Sequence, residues 1–272
     1  MNSLRDMAFS LMRESRPKNP IRPGVQHVRA SAAAEFCARC EVLFARNPTL
    51  DEPDKVETVD GLLTFRHGDA LHWVLQNQIL PQLGVMLGVW SCLDCSAHYG
   101  EVTDPFDPSK LAFKPAVCTA PACSGCCDEF RYREQFFADP DTLLQGHPDG
   151  FIKVPWREDV GIFEAKSIGY AKQIAENPLW HHIVQVHVYF LLTGLKWAQI
   201  LYWHKAGKGL DAWTEHTVEP DEDLLEELVR QTGIMRKGLE GGAVPERVCL
   251  TPEDSLAQIC PMRGRCFAEG QP

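Results

Sequence analysis

The residues best placed to do chemistry lie between Gly146 and Tyr189. Gly146-His147-Pro148-Asp149-Gly150 ends a short strand-like run in an acid and a turn, and Phe163-Glu164-Ala165-Lys166 follows, with Glu164 fifteen residues after Asp149. The two-residue period of a strand puts Glu164 and Lys166 on one face. Asp149 and Glu164 can then share a divalent cation with Lys166 beside them. Such a cation polarises a phosphate and lowers the pKa of a bound water, while the lysine steadies the nucleophile or the developing charge. The set points to metal-assisted cleavage of a phosphodiester.

These groups need strands and a helix to hold them. Phe130 to Glu134 and Leu143 to Ile152 read as strands, the second pairing with Gly161 to Ile168. Leu179 to Thr193 reads as an amphipathic helix on which Gln185 and Tyr189 lie one turn apart and face one way. Trp197 to His204 is expected to be a strand, turned back by Ala206-Gly-Lys-Gly209 into Trp213 to Val218. Asp221 to Leu239 reads as a helix, with acids at its start and Arg236 and Lys237 near its end, as the helix dipole prefers. Upstream, Ala30 to Ala45 looks helical, with Cys37 and Cys40 one turn apart, and Asn47 to Asp60 reads as a polar loop. Gly68 is expected to open a second helix, Asp69 to Ile79, with His72 in its first turns and Pro81 interrupting or restarting it.

In this order, Gly68 to His72, Asp149, Glu164 with Lys166, and Gln185 with Tyr189 resemble the PD-(D/E)xK nuclease superfamily and, within it, the RecB-like exonucleases. The resemblance covers about residues 30 to 270. It implies an α/β fold of the restriction-endonuclease kind, a mixed central sheet flanked by helices. It implies that His72, Asp149, Glu164 and the backbone carbonyl of Ala165 hold Mg2+ or Mn2+. Lys166 would be catalytic, Gln185 and Tyr189 would position the lysine or DNA, and Glu134 would be a further acid near the site.

Eleven cysteines in a chain without a signal-peptide pattern point to metal rather than disulfides. Cys92-Leu-Asp-Cys95 and Cys123-Ser-Gly-Cys126 are two C-x2-C knuckles 27 residues apart, the arrangement of a zinc ribbon. They fall in a segment, 89–127, where hydrophobic periodicity fades and prolines recur. It reads as an inserted zinc-binding module, with Cys118 and Cys127 as spare thiols able to replace a neighbour. Phage-type members of the exonuclease group look similar in this respect. The iron-sulfur subgroup of RecB-like nucleases is similar to a further set: Cys37 upstream, and Cys249, Cys260 and Cys266 in the tail. The resemblance implies that these four hold a [4Fe-4S] cluster tying the N-terminal helix to a cysteine-bearing C-terminal tail. Cys40 is the rival upstream ligand, and a second zinc or no cofactor are the other readings. The spacing Cys249-x10-Cys260 departs from the subgroup's commoner C-x2-C.

The chain of 272 residues, 44% hydrophobic, suits one elaborated domain: an N-terminal extension over 1–29 and a nuclease domain over 30–272. No apolar run of 18 residues marks a membrane span, so a cytoplasmic protein of a bacterial or phage-infected cell is expected. A net charge of −10 argues against a generally basic nucleic-acid binder but leaves room for a local basic groove. Arg131, Arg133, Lys153, Lys172, Lys205 and Lys208 flank the motifs as candidate phosphate contacts, with Trp156, Tyr170 or Trp180 as stacking surfaces. His187 and at least one of His181 and His182 read as non-ligands.

The resemblance therefore implies a metal-dependent DNA exonuclease of phage or bacterial recombination or repair, with DNA and a single-strand annealing or other recombination protein as partners. The alternatives are a CRISPR-associated adaptation nuclease and a non-catalytic nucleic-acid-binding protein that keeps the nuclease fold.

Overall fold

Strand β9, Gly161–Ile168, is buried on both faces over its first five residues and is the axis of the molecule. Ile162 packs into one apolar cluster and Phe163 into another, so successive side chains feed opposite sides of the sheet. Such a strand reads as a continuous apolar run, and Gly-Ile-Phe-Glu-Ala is one apart from its acid. The computed structural model describes residues 27–47, 59–123, 127–169, 176–260 and 262–268.

The main sheet is mixed. Its path is β11 (Trp213–Val218), β10 (Ala198–His204), β9, β8 (Gly150–Ile152), β2 (Met86–Cys92) and β3 (His98–Tyr99), and β4 (Ala112–Phe113) and β5 (Phe130–Arg133) also pair with β2. Only β9 and β10 run parallel among these pairs, with Glu164 beside Ile200 and Lys166 beside Tyr202. A parallel pair needs a crossover, and helix α3, Trp180–Thr193, supplies it. A smaller sheet joins β1 (Val28–Arg29), β7 (Leu144–Gly146) and β6 (Phe137–Asp139).

Helix α3 buries nine residues from His182 to Thr193, which is more than one face, so it is an enclosed helix and not the amphipathic one expected. It is wedged between the sheet and the 3-10 segment Ala30–Glu35. Gly194 closes it in the left-handed conformation, φ 72°, which a glycine adopts without strain.

The upstream helices also differ from expectation. Ala30 to Ala45 divides into that 3-10 segment and α1, Ala38–Arg46, because Phe36 and Cys37 are extended. Gly68 does not open a helix but lies inside α2, Val59–Val74, since nothing at Gly68 interrupts the hydrogen-bonded turns. A π turn, Leu75–Ile79, and a last turn, Leu80–Gln82, continue α2 past Pro81, whose missing N–H is harmless at the first position of a new turn. Helix α4, Glu222–Leu239, is capped by the Asp221 side chain, which accepts from the Leu224 N–H. The tail carries α5, Ser255–Ile259, and α6, Arg263–Ala268.

Candidate active site

The β8–β9 register assembles the acids. Gly150 pairs with Phe163 and Phe151 with Ile162, so one step further places Asp149 opposite Glu164. Asp149 Oδ2 accepts from the Ala165 N–H at 2.7 Å, which fixes the carboxylate at the end of the turn. Glu164 is 1% exposed, and Lys166 Nζ lies 2.5 Å from its Oε1. Gln185 Nε2 donates to the same oxygen at 2.8 Å and to the Tyr189 hydroxyl at 2.9 Å. That hydroxyl donates in turn to the His147 carbonyl at 2.9 Å. A side chain at Gly146 would collide with the Tyr189 ring, its Cβ falling 2.6 Å from Cε1, so glycine there lets the ring close on the turn.

Helix α2 brings His72 over the same point. His72 Nδ1 is 3.4 Å from Asp149 Oδ1, and Nε2 is 3.1 Å from the Ala165 carbonyl oxygen. All the groups for which a cation role was expected thus meet here: His72, Asp149, Glu164 and the Ala165 carbonyl. Glu134 joins them, since ligand atoms of His72, Glu134 and Asp149 lie within 4.8 Å of one another. Gln76 was missed in the sequence. It is buried on the π turn and donates to Glu134 Oε1 and to the Asp149 carbonyl, both at 2.7 Å. Its spacing of four from His72 was the available signal.

Burial, and then the charge of Glu164, push Asp149 up to about 7 against the pull of His72 and Lys166. Burial works against the Lys166 ammonium, but Glu164 and Asp149 outweigh it and hold its pKa above the ordinary lysine value. Among the described residues, Glu164 Oε2 is buried with no hydrogen-bond partner. Two facing carboxylates, one orphaned oxygen and a histidine form a donor set that a hard divalent cation satisfies.

Behind Lys166, Tyr202 accepts from the Leu179 N–H at 3.2 Å, and its hydroxyl lies 2.8 Å from His182 Nδ1. Burial, with Lys166 and His181 adding, lowers His182 to about 3, so its ring is neutral. His187 is occupied by the Ile183 carbonyl and the Asp221 N–H, which accounts for it structurally.

Cys92, Cys95, Cys118 and Cys123 bring their sulfurs within 4.8 Å of one another. Cys126, expected as the fourth thiolate, lies outside the described residues, and Cys118 stands in the fourth place. The Cys95 backbone N–H lowers Cys92 to about 6 against burial, with Asp94 adding. Tyr99 O–H donates to Cys118 Sγ at 3.2 Å. Four thiols at this spacing fit a tetrahedral ion.

Cys37, Cys249, Cys260 and Cys266 line one cavity together with Cys40. Cys40 Sγ and Cys260 Sγ are 3.5 Å apart. Between Cys37 and Cys40 sits Arg39, 3% exposed, whose Nη1 donates to the Pro245 carbonyl at 2.8 Å while Nε is buried without a partner among the described residues. No carboxylate within salt-bridge distance balances it among the described residues. Five thiols lining one cavity fit a thiolate-bound centre.

Of the outlying residues, Arg131, Arg133, Lys153, Lys208, Trp156 and Trp180 are exposed and Lys205 is half-buried, while Tyr170 and Lys172 lie outside the described residues. No helix is long and apolar enough to cross a membrane among the described residues.

No protein-family model and no curated protein matches the chain. Solved structures resemble it weakly. An alkaline exonuclease from Laribacter hongkongensis has a TM-score of 0.43 at 14% identity, over 80% of this chain and 89% of that one. A phage-related exonuclease from Haemophilus somnus 129PT scores 0.44 at 11% identity, over 80% and 95%. SSO0001 scores 0.41 at 13% identity, over 86% and 87%.

Proposed function

We propose that the chain is a metal-dependent deoxyribonuclease of the PD-(D/E)xK kind, acting as an exonuclease on DNA ends in phage or bacterial recombination or repair. The observation that carries the hydrolytic reading is the placement of Asp149 opposite Glu164, one step beyond the β8–β9 register, with Glu164 Oε2 unpartnered among the described residues and Lys166 at 2.5 Å from Oε1. The resemblance to the RecB-like exonucleases favours DNA as the substrate and its ends as the point of attack.

His72, Asp149, Glu164 and the Ala165 carbonyl would hold Mg2+ or Mn2+, with Glu134 alongside. The cation would supply charge neutralisation at the phosphate and a water more easily deprotonated. Lys166 keeps its proton and places positive charge where oxygen charge develops. Gln185, which also donates to the Tyr189 hydroxyl, holds Glu164 at its Oε1 and would leave Oε2 for the cation. Cys92, Cys95, Cys118 and Cys123 would hold one Zn2+ in the 89–127 segment. Cys37, Cys249, Cys260 and Cys266, with Cys40 adjoining, would hold the [4Fe-4S] cluster.

The test is digestion of end-labelled linear and closed circular DNA, side by side, with Mg2+ or Mn2+. Linear DNA should be degraded and circles spared. Lys166→Ala and Glu164→Ala should each lose roughly 10²-fold or more in rate with an unchanged circular dichroism spectrum. Near-normal cutting by a well-folded Lys166→Ala protein would sink the assignment.

A further inference from the structure

Glu164 and Glu134 are each held at Oε1 by a glutamine. Gln185 Nε2 donates to Glu164 at 2.8 Å from α3, and Gln76 Nε2 donates to Glu134 at 2.7 Å from the π turn that follows α2. Both glutamines are buried, and each has a second anchor: the Tyr189 hydroxyl for Gln185, the Asp149 carbonyl at 2.7 Å for Gln76. The motif that pointed to the site includes Gln185 and leaves Gln76 out.

The Gln76 amide is oriented by what it meets. Both groups facing its nitrogen are acceptors, so both N–H bonds are used, and a flipped amide would set oxygen against oxygen. The π turn steadies this grip through the next residue. Asn77 accepts from the Tyr132 N–H at 2.8 Å and donates to the Trp73 carbonyl at 3.1 Å. Consecutive side chains thus hold β5 at Tyr132 and at Glu134, the residue just past its end. Short π segments within helices are frequent at functional sites, because they redirect side chains that a regular turn would aim elsewhere. Glu134 is exposed, and left alone such a side chain samples many rotamers, so ordering it costs entropy. The neutrality of the donor also matters. A lysine or arginine could hold Glu134 but would add positive charge where a cation must sit, whereas the amide holds the carboxylate and leaves its charge intact.

We propose that Gln76 is a positioning residue of the reaction, fixing the Glu134 carboxylate beside Asp149 and His72 so that it serves the cation with them. Ligand atoms of those three lie within 4.8 Å of one another. The inference deepens the nuclease reading and rests on it for the purpose of the cation.

The experiment is a double-mutant cycle read by calorimetric titration of Mn2+ into the anaerobically purified full chain, with no DNA present. Gln76→Leu should weaken Mn2+ binding roughly ten-fold or more, the usual scale for losing a group that orients a metal ligand. Glu134→Gln should weaken it by at least as much. In the Glu134→Gln background, Gln76→Leu should then have little further effect. A packing role would not give this result, because lost packing costs the same whether or not residue 134 carries a charge. Equal losses in both backgrounds, or Mn2+ affinity unchanged by Gln76→Leu, overturn the proposal. Gln76→Met, closer in shape, takes the same test if the leucine variant fails to fold. Hydrolysis of DNA and of bis(p-nitrophenyl) phosphate, followed separately, tells this inference from the nuclease reading. A chain that shows the coupling but cuts neither would lose the nuclease reading and keep the Gln76 assignment. A chain that cuts both and shows no coupling would lose the assignment and keep the nuclease.

Discussion

Gln185 and Glu164 are joined at 2.8 Å across the gap between α3 and β9, and both are buried. One amide group serves two partners, because Gln185 Nε2 also meets the Tyr189 hydroxyl. Gln185→Leu would leave Lys166 as the sole holder of Glu164 Oε1. The expected result is a fall in kcat of roughly ten- to a hundred-fold, the scale of a small misplacement of a reacting group. Tyr189→Phe should cost less, since it breaks the hydroxyl's links to Gln185 and to the His147 carbonyl but leaves Gln185 on Glu164. Steady-state kinetics beside thermal melts would check both; an unchanged kcat in Gln185→Leu would remove the positioning role.

The cysteines of the 89–127 segment make a prediction that distinguishes ligand sets. If Cys118 is a ligand, Cys118→Ser with Cys123→Ser should lose the single zinc per chain, and Cys126→Ser should keep it. Metal analysis of anaerobically purified protein decides. Full retention in the double variant would move the ion elsewhere.

Iron should be found at the other cysteine set. Anaerobically prepared protein should be brown, with broad absorption near ~400 nm. Cys266→Ser should bleach it and lower the melting temperature, leaving Asp149, Glu164 and Lys166 untouched. Arg39→Met should also weaken iron retention, because it breaks the tie from α1 to the Pro245 carbonyl that holds the tail beside Cys37 and Cys40. A colourless, iron-free and fully active wild type would strike the cluster out.

His182 gives a pH dependence. Its folded pKa of about 3 lies below the usual histidine value of about 6.5, so the neutral ring favours the folded state. That stability is complete above pH ~6.5 and is lost as pH falls towards ~3, by at most ~1.4 kcal/mol per pH unit. His182→Gln should flatten this part of the urea-unfolding profile. A His182 titration near ~6.5 in nuclear magnetic resonance spectra would contradict it.

The acids and lysine were legible because strand geometry is local: alternation alone aligns Glu164 with Lys166, and a turn ending in Asp149 brings the first acid opposite. The beginning of α2 was not, since Gly68 looks like a breaker yet lies inside the helix, with open space around it. Gln76 escaped because its reach to Glu134 depends on how the π turn meets β5. The choice of Cys118 depends on how the loop beyond β3 folds back, which spacing does not encode. Enclosure of α3 was hidden because the segment that covers it, Ala30–Glu35, lies far upstream.

Arg39 reaches the Pro245 carbonyl across 206 residues, and Arg46 reaches the Gly242 carbonyl across 196. During synthesis α1 therefore leaves the ribosome long before its partners exist. At ~5–20 residues per second the wait is roughly ten to forty seconds. Throughout it Val42 and Leu43, buried in the finished protein, have no tail or α4 to cover them. The newborn chain is thus a client for whatever binds exposed apolar helices in the cell, and its first helix is among the last to settle.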